Sequence, residues 1–137
     1  MTTFVVDASV AVKWFVEEAH TAEARSLLPP DAVRIAPDFI LVEFAHVMLK
    51  QVRRGPLSPD DARLANARLV SLVTLHPASQ LVRSAFEIGL GFDRSVYDGL
   101  YVALALRRSC QLVTADRRLY NALAPTFSDT MLWIEDL

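Results

Sequence analysis

Short β-rich runs alternate with longer helical segments along the chain. Parallel strands cannot be joined by tight turns, so strands separated in this way are linked by helical crossovers. The pattern predicts an α/β fold of three layers, in which helices cover both faces of a mainly parallel sheet of roughly five strands. Ligands of such sheets bind beyond the carboxyl ends of the strands, near the point where the strand order reverses. The predicted strands are 4–6, 33–36, 74–76, 111–114 and 131–134.

Capping and breaker residues mark the ends of the helices. The clearest start signal is Ser58, a capping serine that is followed by a proline and two acids. The preceding helix is closed by two arginines and then by Gly55 and Pro56. Helices are predicted at 8–16, 21–28, 39–52, 59–73, 79–90, 96–108 and 116–123.

Length and composition indicate one folded domain, residues 1–137. The chain is 53% apolar and 22% charged, so burial can offset the entropy of ordering, and this excludes disorder. The single cysteine, Cys110, excludes an internal disulfide and favours a reducing, cytoplasmic location. No apolar run approaches the roughly 18 residues of a membrane span, so no membrane association is expected.

Two acidic residues follow predicted strands. Asp7 comes directly after the first strand, and Asp116 stands just beyond the apolar pair Leu112 and Val113. Both acids are therefore expected at the ligand-binding edge of the sheet. Each also precedes a helix, so capping of that helix is an alternative role for either residue.

Two further acids lie inside apolar helical segments. Glu43 falls within 39–45 and Asp98 within 96–104. A carboxylate removed from water is costly unless it is paired, coordinated or protonated, and few fixed cations are near in the sequence. A hard divalent cation with oxygen ligands is the simplest compensating charge. The alternatives are that Asp98 forms a capping box with Ser95 and that Glu43 points outward.

Several side chains are candidates for supporting roles. Ser9 and Thr114 each lie two residues from a candidate acid and can orient a carboxylate, although they can equally serve as caps. Asp93 precedes the Asp98 helix and is a possible fifth acid, with turn formation as the simpler explanation. The candidate contacts to nucleic-acid phosphates are Lys13, Arg117 and Arg118.

The chain lacks the motifs of several other catalytic classes. The chain has only 4 glycines and contains neither GxGxxG nor GxSxG, which excludes nucleotide-loop, dinucleotide and serine-hydrolase sites. A phosphatase that forms an aspartyl-phosphate usually carries a second Asp two residues after the first, where this chain has Ser9. Metal-assisted hydrolysis remains.

The sequence resembles the PIN-domain ribonucleases, and most closely the VapC-type toxins of prokaryotic toxin-antitoxin pairs. The resemblance runs over essentially the whole chain, in order and with family-like spacing. The segments that carry it are FVVDAS at 4–9, the helix around Glu43, YDGLYVALA at 97–105 and LVTADRRL at 112–119.

The resemblance implies an endoribonuclease that hydrolyses RNA phosphodiester bonds with a metal-activated water. It implies that Mg²⁺ or Mn²⁺ is bound by Asp7, Glu43, Asp98 and Asp116, and that Thr114 is the polar residue before the last acid. If a metal neutralises four of the 16 acids, the 14 basic residues are in excess, and the net charge of −2 no longer opposes an RNA partner. The alternatives are another nuclease that uses the same site, or a module that binds RNA or protein without cutting.

The resemblance also implies partners. Members of this type form homodimers and are neutralised by a small VapB-like antitoxin whose C-terminal segment crosses the toxin surface. Trp14 is the apolar side chain predicted to be most exposed for such a contact. The apolar residues proposed for that groove are Val12, Trp14, Phe15, Leu27 and Leu28, with burial in the core as the alternative.

Overall fold

Five parallel strands form the centre of the protein. The computed structural model describes residues 1–137. The strands lie in the order β3-β2-β1-β4-β5, and every neighbouring pair is parallel. Their bounds are β1 Thr2–Val6, β2 Ala32–Pro37, β3 Thr74–His76, β4 Gln111–Thr114 and β5 Met131–Trp133.

Seven α-helices connect or follow these strands. The first predicted helix, 8–16, is shorter than expected, because the α-helix ends at Ala11 and continues as a 3₁₀ turn over Val12–Trp14. The start signal at Ser58 is confirmed, since its hydroxyl accepts from the Asp61 backbone N–H at 3.1 Å. The helices are α1 Ala8–Ala11, α2 Thr21–Arg25, α3 Ile40–Arg54, α4 Pro59–Leu72, α5 Val82–Phe92, α6 Val96–Arg108 and α7 Arg117–Leu123.

Helices cover both faces of the sheet. Consecutive strand residues point to opposite faces, and both Val5 and Val6 in β1, like Leu112 and Val113 in β4, are fully buried. Crossovers between parallel strands are right-handed, so the connections that run from β1 toward β3 and those that run from β3 toward β5 lie on opposite faces. The predicted three-layer α/β/α fold with a parallel five-stranded sheet is confirmed.

The strand order places two chain segments side by side at one edge. The chain moves outward from β1 through β2 to β3 and then returns to the other side of β1 as β4, so the order reverses between β1 and β4. In the register of this pair Val6 lies beside Val113, and both strands therefore end at the same level. Asp7 and Asp116 leave the sheet at this point, where ligands of open α/β sheets bind.

Helix α6 is positioned by a close backbone approach. It packs on α5 and crosses β1, β2 and β4. Gly99 permits the approach, because a Cβ atom at this position would lie 2.4 Å from the backbone oxygen of Ala85 in α5. Gly99 directly follows Asp98, so this packing also determines where that carboxylate lies.

We expect Gly99→Ala to lower the free energy of unfolding by about 2–3 kcal/mol, because overpacking forces the two helices apart. Gly91→Ala in α5 is the matched control, since nothing lies within 4 Å of the added Cβ. The control should be neutral or gain about 0.5–1 kcal/mol from the better helix propensity of alanine. Urea denaturation measures both, and equal stabilities would contradict the close-packing interpretation.

None of the seven α-helices combines the length and the apolar character that crossing a membrane requires.

Candidate active site

One cavity of about 290 Å³ opens at the edge of the sheet where β1 and β4 end. The four acids singled out in the sequence all line it, although they come from four separate segments of the chain. Its remaining walls are formed by the first turn after β1, by one face of α3 and by Tyr101 of α6. The lining residues are Asp7, Ala8, Ser9, Val12, Lys13, Glu18, Glu43, Val47, Gln51, Asp98, Tyr101, Ala115 and Asp116.

Asp7 is the most buried of the four acids. Only 5% of the residue is exposed, and it caps α1 by accepting from the Val10 backbone N–H at 3.2 Å. Burial raises the pKa of Asp7 to about 7, against the lowering effect of hydrogen bonds from Ser9 and Thr114. Asp7 therefore does cap α1, as the alternative role predicted, but capping does not compensate the charge of this carboxylate.

Ser9 and Thr114 join the two strand ends. The Thr114 hydroxyl donates to Asp7 Oδ2 at 2.5 Å and accepts from the Asp116 backbone N–H at 3.0 Å. The Ser9 hydroxyl donates to Asp7 Oδ1 at 2.5 Å and accepts from the Ala115 backbone N–H at 3.0 Å. These two hydroxyls orient Asp7 and fix the backbone that carries Asp116.

Asp116 lies opposite Asp7 and also caps a helix. Its Oδ1 accepts from the backbone N–H groups of Arg118 and Leu119 at 3.0 and 3.2 Å, so the carboxylate faces the N-terminus of α7. Only Oδ1 is engaged in this way, and the residue still lines the cavity. Capping therefore leaves its second oxygen available to a ligand.

Asp98 is held by an arginine that sequence reasoning did not identify. The Nε and Nη2 atoms of Arg94 both donate to Asp98 Oδ2, at 3.2 and 3.0 Å. Burial raises the pKa of Asp98, while Arg94 lowers it. Ser95 caps α6 by accepting from the Asp98 backbone N–H at 3.0 Å, but the Asp98 side chain turns to Arg94 and does not close a capping box.

Glu43 reaches the cavity from α3, on the other wall. The residue is half-buried, so the alternative that it points away into solvent is wrong. The phenol of Tyr101 donates to Glu43 Oε1 at 2.6 Å. Burial raises the pKa of Glu43, the hydrogen bond from Tyr101 lowers it, and the charges of Asp98 and Asp116 raise it further.

The carboxylates share a cavity but do not form a closed set of ligands. As they stand, no three His, Cys, Asp or Glu side chains lie close enough together to hold a metal ion. Like charges repel, and Glu43 and Asp98 each direct one oxygen to a donor at the wall. Their second oxygens remain available, all four donors are hard oxygen ligands, and Arg94 is the only cation that pairs with any of them. This donor set therefore fits Mg²⁺ or Mn²⁺.

Four of the predicted supporting residues lie elsewhere or are already paired. Asp93 is exposed, ends α5 in a left-handed conformation and does not line the cavity. Lys13 lines the cavity, but it is buried and its Nζ lies 2.9 Å from Glu18 Oε1, so it lacks the free charge expected of a phosphate contact. Arg117 and Arg118 are exposed outside the cavity, and Arg117 stacks 3.7 Å above the Trp133 ring.

The predicted apolar groove is wrong. Trp14, expected to be exposed, is buried, and its indole N–H donates to the Ala24 backbone oxygen at 2.8 Å. The other members belong to the core or pack against it, because α1 packs on β4 and the turn after α1 packs on α2. These are Val12, Leu27, Phe15 and Leu28.

Sequence reasoning missed the residues that hold the acids. Tyr101 follows Asp98 by three positions, so both lie on one face of α6, and a tyrosine inside an apolar helix needs a partner for its hydroxyl. Arg94 precedes Asp98 by four positions, but it lies outside the predicted helix. Glu18, which lines the cavity and pairs with Lys13, gave no comparable signal, since it belongs to an irregular segment between α1 and α2.

Comparison with known proteins shows the family of this chain. Residues 4–123 match the PIN domain family. Ribonuclease VapC3 of Pyrobaculum aerophilum is 30% identical over 118 residues, which cover 84% of this chain and 90% of that protein. Ribonuclease VapC9 of Mycobacterium tuberculosis is 34% identical over 116 residues, which cover 84% of this chain and 87% of that protein.

Solved structures show the same fold. VapC20 of Mycobacterium tuberculosis, described as a toxin that cleaves the sarcin-ricin loop, superposes with a TM-score of 0.66 at 22% identity, covering 88% of this chain and 95% of that one. VapBC2 of Rickettsia felis, bound to a DNA fragment from its promoter, gives a TM-score of 0.69 at 10% identity, covering 96% and 98%. The chain therefore belongs to the PIN-domain family and, within that family, to the VapC ribonucleases.

Proposed function

We propose that this protein is a metal-dependent endoribonuclease and the toxin of a toxin-antitoxin pair. The observation that supports this most strongly is the convergence of Asp7, Glu43, Asp98 and Asp116 on one cavity at the switch point of the sheet. Only Arg94 is paired with any of the four acids. A divalent cation neutralises such a surplus of negative charge, and the bound cation in turn attracts the RNA phosphate.

Within this proposal the four acids hold Mg²⁺ or Mn²⁺. The bound ion supplies charge neutralisation at the attacked phosphate and lowers the pKa of the water that attacks it. Ser9 and Thr114 keep Asp7 oriented, and Arg94 and Tyr101 keep Asp98 and Glu43 oriented. Attack by water needs no 2′-hydroxyl nucleophile, so cleavage should leave a 5′-phosphate.

RNA cleavage should require a divalent cation. Purified protein is expected to cut RNA with Mg²⁺ or Mn²⁺, to lose that activity in EDTA and to regain it when the ion is returned in excess. Gel analysis of an end-labelled RNA measures this, and a phosphate-specific ligation step identifies the 5′ end of the product. Activity that persists in EDTA would reject the metal-dependent mechanism.

Matched oligonucleotides distinguish the alternative functions. A nuclease of another kind would cut the DNA version of the same sequence, whereas the proposed ribonuclease cuts only the RNA. A module that binds without cutting would retain RNA and cleave neither. Four acids with only one paired cation, Arg94, oppose the binding module, because buried charge without a catalytic use only destabilises the fold.

We also propose a small antitoxin as the partner of this protein. The support comes from solved neighbours described as toxin-antitoxin or VapBC assemblies, from Klebsiella pneumoniae and Rickettsia felis. A neighbouring reading frame that encodes a small DNA-binding protein would identify the candidate. The homodimer remains a prediction, and the exposed apolar side chains Val82, Phe86 and Leu90, spaced four apart on α5, are consistent with it.

A further inference from the structure

Each acid of the cavity is held in place by hydrogen bonds, but the number of bonds differs. Asp7 accepts from Ser9, Val10 and Thr114, and Asp116 accepts from two backbone N–H groups. Asp98 accepts two bonds from one arginine. Glu43 accepts a single bond, from the hydroxyl of Tyr101.

Glu43 is also the acid that most needs orientation. The other three are aspartates with short side chains, and two of them are fixed at helix N-termini. Glutamate has three side-chain torsions, so ordering it costs more rotamer entropy than ordering an aspartate. Glu43 also stands alone on α3, across the cavity from the acids at the strand ends.

Tyr101 is held in a position from which its hydroxyl donates a hydrogen bond to Glu43. The residue is 1% exposed, its ring lies in the hydrophobic core, and its hydroxyl faces the cavity. The phenol O–H donates to Glu43 Oε1 at 2.6 Å across the gap between α6 and α3. A hydrogen bond donated to a carboxylate oxygen favours the ionised form of Glu43.

We propose that Tyr101 is a positioning residue for the metal site: its hydroxyl holds Glu43 Oε1 against α6 and thereby turns Oε2 toward the other three acids. The inference rests on the proposed metal-dependent function. Tyr101 itself contacts neither the ion nor RNA in this proposal. It acts through Glu43, as the outer partners of ligand side chains do in metal sites generally.

Tyr101→Phe tests the proposal, because it removes the hydroxyl and leaves the buried ring. Titration with Mn²⁺ alone, followed by calorimetry, should show a Kd raised about 10-fold, and the rate of RNA cleavage should fall about 10- to 100-fold. Tyr97→Phe is the matched control. It removes a hydroxyl from an exposed tyrosine of the same helix, outside the cavity, and should change neither quantity.

A second pair of variants separates positioning from a general structural role. In a Glu43→Ala background the hydroxyl has no carboxylate to hold, so adding Tyr101→Phe should change the Mn²⁺ Kd by no more than about twofold. If Tyr101 merely supports the fold, its replacement weakens metal binding and lowers the melting temperature equally in both backgrounds.

The possible outcomes each decide the question. A loss of Mn²⁺ affinity that needs Glu43 supports the proposal. Wild-type affinity in Tyr101→Phe, or an equal loss with and without Glu43, overturns it, and so does a variant that fails to fold in both backgrounds. If the wild-type protein binds Mn²⁺ but does not cut RNA, the proposed function fails while the role of Tyr101 can still be read from the binding data.

Discussion

Asp98→Asn is expected to reduce RNA cleavage by more than about 100-fold, because even the outer partners of a metal ligand are worth about 10- to 100-fold. The substitution keeps the shape of the side chain and leaves the Ser95 cap intact, since that cap uses the Asp98 backbone N–H. The loss should therefore lie in the chemistry and not in the fold. Cleavage of an end-labelled RNA at saturating Mn²⁺ measures it.

The chain provides a matched control five residues earlier, at the end of α5. Asp93→Asn is the same substitution at an exposed aspartate that does not line the cavity, and it should cleave RNA at the wild-type rate. Thermal melts in EDTA should show all three proteins folded. If Asp98→Asn is as active as the wild type, Asp98 does not belong to the catalytic site.

Asp7→Asn is expected to abolish cleavage and, without metal, to stabilise the protein at alkaline pH. Burial raises the pKa of Asp7 from 3.8 to about 7, so between these values the folded state binds a proton that the unfolded state has lost. Stability therefore falls as the pH rises through this window. By pH 8 this rise in the pKa of Asp7 lowers the free energy of unfolding by about 4 kcal/mol.

The measurement is urea denaturation in EDTA at pH 5 and pH 8. Asparagine carries no charge, so the advantage of Asp7→Asn over the wild type should grow by about 2–3 kcal/mol between these two pH values. Glu43 and Asp98 also have raised pKa values, but their contribution is present in both proteins and cancels in the difference. With Mn²⁺ added the order should reverse, because only the wild type retains the full set of ligands. A difference that is independent of pH would show that Asp7 is not buried as an uncompensated acid.

The acids at the strand ends could be found by reading the sequence, and the physical reason is local. A short apolar run that ends in an aspartate and leads into a helix specifies both a strand end and a cap, so Asp7 and Asp116 fell where expected. The hydroxyl of Thr114 was a candidate for the same reason. Its bridge from Asp7 to the backbone of Asp116 depends on β1 and β4 being neighbours, and the strand order was not predicted.

The partners of Glu43 and Asp98 could not be found in this way. Tyr101 meets Glu43, 58 positions away along the chain, because α3 and α6 flank the same strand ends. Arg94 meets Asp98 because α5 ends at Phe92 and a short turn leads directly into α6. Trp14 is buried, and its indole N–H donates to the Ala24 carbonyl in the next helix. Its neighbour Lys13 had suggested a surface position.

Periodicity, capping residues and breaker residues are short-range signals, and they were enough to establish an α/β chain with four acids in apolar surroundings. Which acids share a cavity is a long-range property, because it depends on the order of the strands and on the close approach that Gly99 permits between α5 and α6. The same applies to charge. The sequence shows a net charge of −2, but only the packed structure concentrates four carboxylates and a single paired arginine at one edge of the sheet. There burial raises the pKa values of Asp7, Glu43 and Asp98 and creates the need for a further cation.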